Sequence, residues 1–145
     1  SAMAKLQLDI VSATGAVYSG EADVVIAPAT EGEIAILPSH AALMTTLNPG
    51  EVRVRNGASE TAIAVTGGFL EVISNRVTVL ADAAEDAAKI DIERAEAALK
   101  HAQERLAQHP REIELAEALA ALSRAQVRIK LARRHRERGA THREG

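Results

Sequence analysis

Apolar and polar residues alternate at the start of the chain. Leu6, Leu8 and Ile10 share one face, while Gln7, Asp9 and Val11 take the other, which is the pattern of a half-buried strand. Similar short runs at 23–27, 33–37, 51–55, 61–66, 69–74 and 76–81 predict further strands. Turn signals separate them: Thr14-Gly15, Ser19-Gly20, Glu31-Gly32, Pro49-Gly50, Asn56-Gly57 and Ser74-Asn75. Many short strands with frequent turns predict a sandwich or barrel. Gly67-Gly68 interrupts a strand pattern and predicts a bulge or a close backbone approach.

Near residue 83 the period changes. From Ala84 onward the chain is rich in Ala, Glu, Arg and Leu, and no glycine appears before Gly139. Ile92, Ala95, Leu99, Ala102 and Leu106 recur at three- and four-residue steps, as do Leu115, Ala118, Leu122, Ala125, Ile129 and Ala132. The break at His109-Pro110 separates two helices, with Pro110 predicted to open the second. So short a link makes them antiparallel neighbours. The predicted fold class is α+β: an antiparallel β-sandwich over residues 4–86, an α-helical hairpin over 87–138, and a disordered polar tail over 139–145. Alternate seam positions are Ala rather than Leu, which predicts a marginal, movable hairpin on a firm β-domain. Ser1-Ala2-Met3 reads as an expression remnant and is set apart from the fold.

Composition then removes functions. With no cysteine in 145 residues, disulfide frameworks, thiol nucleophiles and cysteine zinc sites are excluded. Tyr18 and Phe69 are the only aromatics, too few for a base-stacking surface, so no nucleic-acid partner is expected. No apolar run reaches the ~20 residues of a membrane-spanning helix, so no direct membrane insertion is expected. The net charge of -3 hides a division. Residues 1–88 hold four Lys/Arg against eleven Asp/Glu, and residues 89–145 hold thirteen against nine. An acidic half and a basic half point to separate partners.

Catalytic chemistry finds no foothold. His101, His109, His135 and His142 include no i, i+4 pair, so no metal site is expected. There is no Ser-His-Asp arrangement and no glycine-rich phosphate loop. The basic run Arg124, Arg128, Lys130, Arg133, Arg134, Arg136 and Arg138 is opposed by Glu137 alone. It suits a solvated helix face near a C-terminus as well as it suits an acidic partner.

Three segments carry a resemblance: Glu31-Gly32-Glu33-Ile34-Ala35-Ile36-Leu37-Pro38-Ser39-His40-Ala41, Gly67-Gly68-Phe69-Leu70-Glu71-Val72 and Val77-Thr78-Val79-Leu80-Ala81-Asp82. In this order and spacing the chain resembles the epsilon-subunit family of the F-type rotary ATP synthase, from Lys5 to about Arg133. Ala35 and Ser39 depart from it, standing where the family usually carries glycine. The resemblance implies a non-catalytic rotor subunit that couples proton-driven rotation to ATP synthesis, peripheral on the cytoplasmic face of a bacterial membrane. It implies a sandwich that grips the gamma subunit and meets the ring of c subunits through a loop containing Glu33 and His40. It also implies a hairpin that rises to inhibit ATP hydrolysis, its basic face of Arg133, Arg134 and Arg136 meeting the alpha and beta subunits.

The stretch Ile90-Asp91-Ile92-Glu93-Arg94-Ala95 resembles the motif by which some members bind ATP. That likeness implies a regulatory ATP held by Glu85, Asp91, Arg94, Ala95, Arg124 and Arg128, with no cofactor required. His101 departs from it, since nucleotide-binding members carry arginine there. From the residues alone, Asp91 is equally a helix N-cap and Arg94 a first-turn surface residue. Glu33 is equally a solvated charge, and His40 a locally bonded ring. An independent nucleotide-sensing module and a coiled-coil adaptor stand as the competing readings.

Overall fold

The structure is a computed structural model describing the backbone of residues 4–144 and the side chains of residues 4–139. The chain divides into two compact units, with Ala87 the last residue of the first and Ala88 opening the second.

Among the described residues, ten strands build the first unit: β1 (Leu6–Ser12), β2 (Gly15–Ala22), β3 (Val24–Ala29), β4 (Gly32–Ile36), β5 (Leu43–Leu47), β6 (Gly50–Asn56), β7 (Ser59–Val65), β8 (Gly68–Ile73), β9 (Arg76–Ala81) and β10 (Ala84–Asp86). They form one continuous sheet in the order β10-β7-β6-β3-β5-β8-β9-β1-β2, with β4 paired to β3. The sheet folds back so that β2 meets β6. There Asn56 Nδ2 donates to the Glu21 carbonyl at 2.6 Å. The inner faces bury Leu6, Leu8, Ile10, Val25, Ile36, Val52, Val54, Val65, Leu70, Val72, Val77 and Val79. The alternating apolar positions are thus the core positions, and the result is the expected sandwich.

One pairing departs from the antiparallel expectation: β1 and β9 run parallel, Leu8 opposite Val77 and Ile10 opposite Val79. They lie far apart in sequence, so no hairpin constrains their direction. Strands β2, β5 and β10 were not predicted either. β2 (GAVYSGEA) and β5 (LMTTL) lack a strict apolar alternation. At Gly67-Gly68 the close approach is present. Both residues have positive φ (120° and 144°), and a Cβ on Gly68 would collide with the Leu80 carbonyl.

The second unit packs α1 (Ile92–Ala107) against α2 (Glu112–Glu144). Asp91 caps α1, its carboxylate accepting the Arg94 N–H at 3.1 Å. The helix ends where His109 turns left-handed (φ 53°) and its N–H bonds the Leu106 carbonyl at 3.2 Å. That is the αL termination usually given to glycine. Pro110 does not open α2 as expected. It lies in the link, and the first α2 bond runs from the Leu115 N–H to the Arg111 carbonyl at 2.7 Å. The buried half of each helical stripe is its alanine half: Ala95 and Ala102 on α1, Ala118, Ala125 and Ala132 on α2, joined by Ile129 and Leu131. Helix α2 also passes Gly139, where a disordered tail was expected, and reaches Glu144. One glycine costs a helix only ~1 kcal/mol and stops it only with an αL cap. The side chains of 140–145 lie outside the described residues.

Candidate functional site

The segment 33–40 begins on β4 and ends in an irregular corner. Glu33 stands opposite Pro28 of β3, and its carboxylate accepts from Arg53 Nη2 at 2.8 Å. Arg53 comes from β6, which pairs with the other edge of β3. The arginine side chain is 17% exposed and the Glu33 side chain 62%, so a largely covered cation presents an open carboxylate. Ile36 is fully buried and anchors the end of the strand, whereas Leu37 is 53% exposed.

Beyond Leu37 the chain turns sharply. Ser39 is left-handed at φ 68°, a backbone angle that suits the glycine expected at this position. The His40 N–H donates to the Leu37 carbonyl at 3.1 Å, closing the turn. The Ser39 N–H donates to Asn75 Oδ1 at 2.7 Å. His40 Nδ1 lies 2.7 Å from the Ala41 carbonyl. A carbonyl only accepts, so Nδ1 is the donor in this contact. Glu33 and His40 are therefore not brought together. One is held by Arg53 across β3, and the other is tied to its own corner.

A second feature lies on the outer face of the sheet. Register places Thr46, Phe69, Leu80 and Val11 in one row across β5, β8, β9 and β1, beside the row Met44, Glu71, Thr78 and Asp9. Met44 is 71% exposed, Phe69 56% and Leu80 55%. These three side chains are exposed apolar groups on the face of the sheet opposite the core.

The hairpin residues form a looser set. Ala95 is buried, Arg94 and Arg124 are exposed, and Arg128 is half-buried. Ion pairs cross from α1 to α2, among them Glu96 with Arg133 at 2.8 Å and Arg105 with Glu117 at 3.7 Å. Between them these pairs bring His101 to the level of the turn carrying Arg124 and Arg128, and set Arg94 beyond it, toward the level of Arg133. Glu85 lies half-buried on β10 opposite Ala64, in the first unit. On the basic face, Arg133, Arg134 and Arg136 are exposed, but Arg133 is the arm that reaches Glu96. Arg133 and Arg134 also rim a groove of about 370 Å³ floored by Leu99 and Ile129.

Sequence reasoning missed Arg53, Asn75 and Glu96. Asn75 carried a turn signal, but nothing local to it names Ser39 as its partner. Among the described residues, no group of three His, Cys, Asp or Glu side chains is placed to hold a metal, and no helix is long and apolar enough to cross a membrane.

Both halves match family models, residues 5–87 that of the ATP synthase Delta/Epsilon chain beta-sandwich domain and residues 88–133 that of its long alpha-helix domain. The chain belongs to the ATP synthase delta/epsilon-chain family. The ATP synthase epsilon chain of Dehalococcoides mccartyi is 52% identical over 93% of this chain and 97% of its own length. That of Desulforamulus reducens is 49% identical over 90% and 99%. Among solved structures, a chain of the Euglena gracilis mitochondrial ATP synthase OSCP/F1/c-ring assembly is similar at TM-score 0.63. It is 23% identical, covering 85% of this chain and 78% of that one, a likeness of fold. The seam between the two family models is also the seam between the two compact units.

Proposed function

We propose that this chain is a non-catalytic rotor subunit of a proton-translocating ATP synthase, peripheral on the cytoplasmic face of a bacterial membrane. Family membership over both units supports this, and the exposed apolar row on the sandwich carries it. Phe69 and Leu80 of that row, with Met44 beside it, stand on a unit whose core is already filled, so their contact is reserved for a partner. The gamma subunit takes that row. The c-ring meets the corner at 37–40 and the Glu33 carboxylate. The alanine-seamed hairpin opens, and Arg133, Arg134 and Arg136 then face acidic surfaces of the alpha and beta subunits and inhibit ATP hydrolysis.

The deciding experiment is pull-down of purified gamma by the full chain and by Phe69→Lys and Leu80→Lys. Each charge on the row is expected to abolish capture while leaving the melting transition in place. Capture undiminished by both would overturn the assignment of the row. For inhibition, Ala at 133, 134 and 136 in the assembled complex is expected to raise ATP hydrolysis, with the gap from the parent narrowing at high salt as screening grows.

ATP on the hairpin is a second, compatible reading, favoured by the height of His101 beside Arg124 and Arg128. A permanent cation there adds to two already spaced one turn apart. His101→Arg is expected to tighten ATP binding to the isolated chain in calorimetric titration at pH 8. Absence of heat from both versions at millimolar ATP would leave Asp91 and Arg94 as a helix start alone.

A further inference from the structure

Residues 37–42 lie outside every strand, and Leu37, Ser39, Ala41 and Ala42 are exposed. A corner of this kind has little packing to hold it. Its one turn bond, from the His40 N–H to the Leu37 carbonyl, does not by itself justify a left-handed serine, because αL geometry in a residue with a Cβ is unfavourable unless neighbours over-determine it.

The second determinant comes from elsewhere in the chain. The turn between β8 and β9 has two left-handed central residues, Ser74 at φ 48° and Asn75 at φ 62°, flanked by the pair Ile73 and Arg76. That is the tight hairpin turn whose twist suits the strands. Asparagine tolerates this conformation and keeps a polar side chain to use. Asn75 uses both of its oxygens: its backbone carbonyl accepts the Gln7 N–H at 2.8 Å, and its Oδ1 accepts the Ser39 N–H at 2.7 Å. One residue thus ties the start of β1, the β8–β9 turn and the corner together. Exposed Leu37 and Ile73 belong to the corner and the turn that this bond joins.

We infer that Asn75 is a positioning residue for the partner-facing corner at 37–40, holding Ser39 left-handed and so fixing where His40 points. The inference rests on the reading that this corner meets the c-ring. A corner set in advance loses less conformational freedom on docking than a loose one.

Asn75→Gly separates this role from folding, because glycine keeps the left-handed turn at no steric cost and removes only the Oδ1 acceptor. Asn75→Asp keeps an acceptor oxygen in place. The full chain of each is compared by amide hydrogen exchange at Ser39, with the core amides of β8 and β9 as internal reference, and by affinity for detergent-solubilised c-ring carrying gamma. Asn75→Gly is expected to speed Ser39 exchange while the core amides hold, and to weaken ring binding between about two- and tenfold, the worth of one hydrogen bond. Asn75→Asp is expected to preserve both. Adding Ser39→Gly to Asn75→Gly is not expected to restore the affinity fully, since glycine leaves the corner free to wander.

Unchanged Ser39 exchange in Asn75→Gly would overturn the positioning role. So would faster exchange with undiminished affinity in a complex where His40→Ala does weaken binding. If His40→Ala and Glu33→Ala both leave ring affinity unchanged, the c-ring reading of the corner fails instead.

Discussion

Ser39 shows how a departure from family pattern acquires a physical meaning. The sequence marks it as a serine in a glycine position, and the structure supplies the reason, a φ of 68° held by the Asn75 carboxamide. Replacing Ser39 by Gly relieves the Cβ strain, offset in part by the greater freedom of glycine in the unfolded chain. The net gain is expected to be about 1 kcal/mol, read as a higher melting temperature of the sandwich. Asp23 makes a contrasting case. The Gly57 N–H donates to its carboxylate at 2.7 Å and Lys5 sits 3.0 Å away. First the amide and then the lysine hold its pKa below the ordinary 3.8. A depressed folded-state pKa stabilises above the unfolded value, and that stabilisation is lost as pH falls through the folded value. The stability lead of the parent over Asp23→Asn is therefore expected to be constant near neutrality and to shrink below pH ~3.8 in denaturant titrations. Neither partnership was legible beforehand. Asp23 and Gly57, like Ser39 and Asn75, are joined only once the sheet has folded.

At the scale of elements, what was legible followed from period. β1, β6 and β9 present every second residue to one core, and the helical stripes recur at three and four. What was lost lacked a period: β2 with its glycines and serine, β5 with paired threonines, and the three-residue β10. Helix termini were lost for a related reason. His109 performs a stop usually written as glycine, and Gly139 was read as a stop although no cap accompanies it. In the hairpin, the closest packing belongs to the alanines, with Ala102 at 1% and Ala118 at 0% exposure. Ala102→Leu inserts an isobutyl group where two helices nearly touch. It is expected to cost about 1–3 kcal/mol of hairpin stability, read as faster amide exchange along α1 and α2. Slower exchange would mean that the seam has room, and the thin-seam account of a movable hairpin would fail.

For the whole molecule, the boundary between the family models and that between the compact units fall at one place in the chain, after Ala87, and the balance of charge reverses across it. The seventeen buried residues of the sandwich core all lie between Leu6 and Ala81, so removing everything after Ala88 takes away none of them. A unit of roughly 85 residues exceeds the size at which small domains need disulfides or metals to fold. The truncated chain is accordingly expected to melt in one cooperative transition and to keep slow exchange at Leu8, Val72 and Val79. The reciprocal fragment, 88–145, carries a seam mostly of alanine, and surface ion pairs such as Glu96 with Arg133 are worth at most about 1 kcal/mol each. Helix α1, at 16 residues, is close to the length below which an isolated helix is marginal in water, whereas the 33 residues of α2 can hold helix without a cooperative tertiary step. Its circular dichroism is expected to decline gradually with temperature, without a sigmoidal step. The two melts together decide whether the parts differ in kind. A truncated sandwich that unfolds without cooperativity would show that its core needs the helices, and a firm unit bearing a movable one would no longer describe this protein.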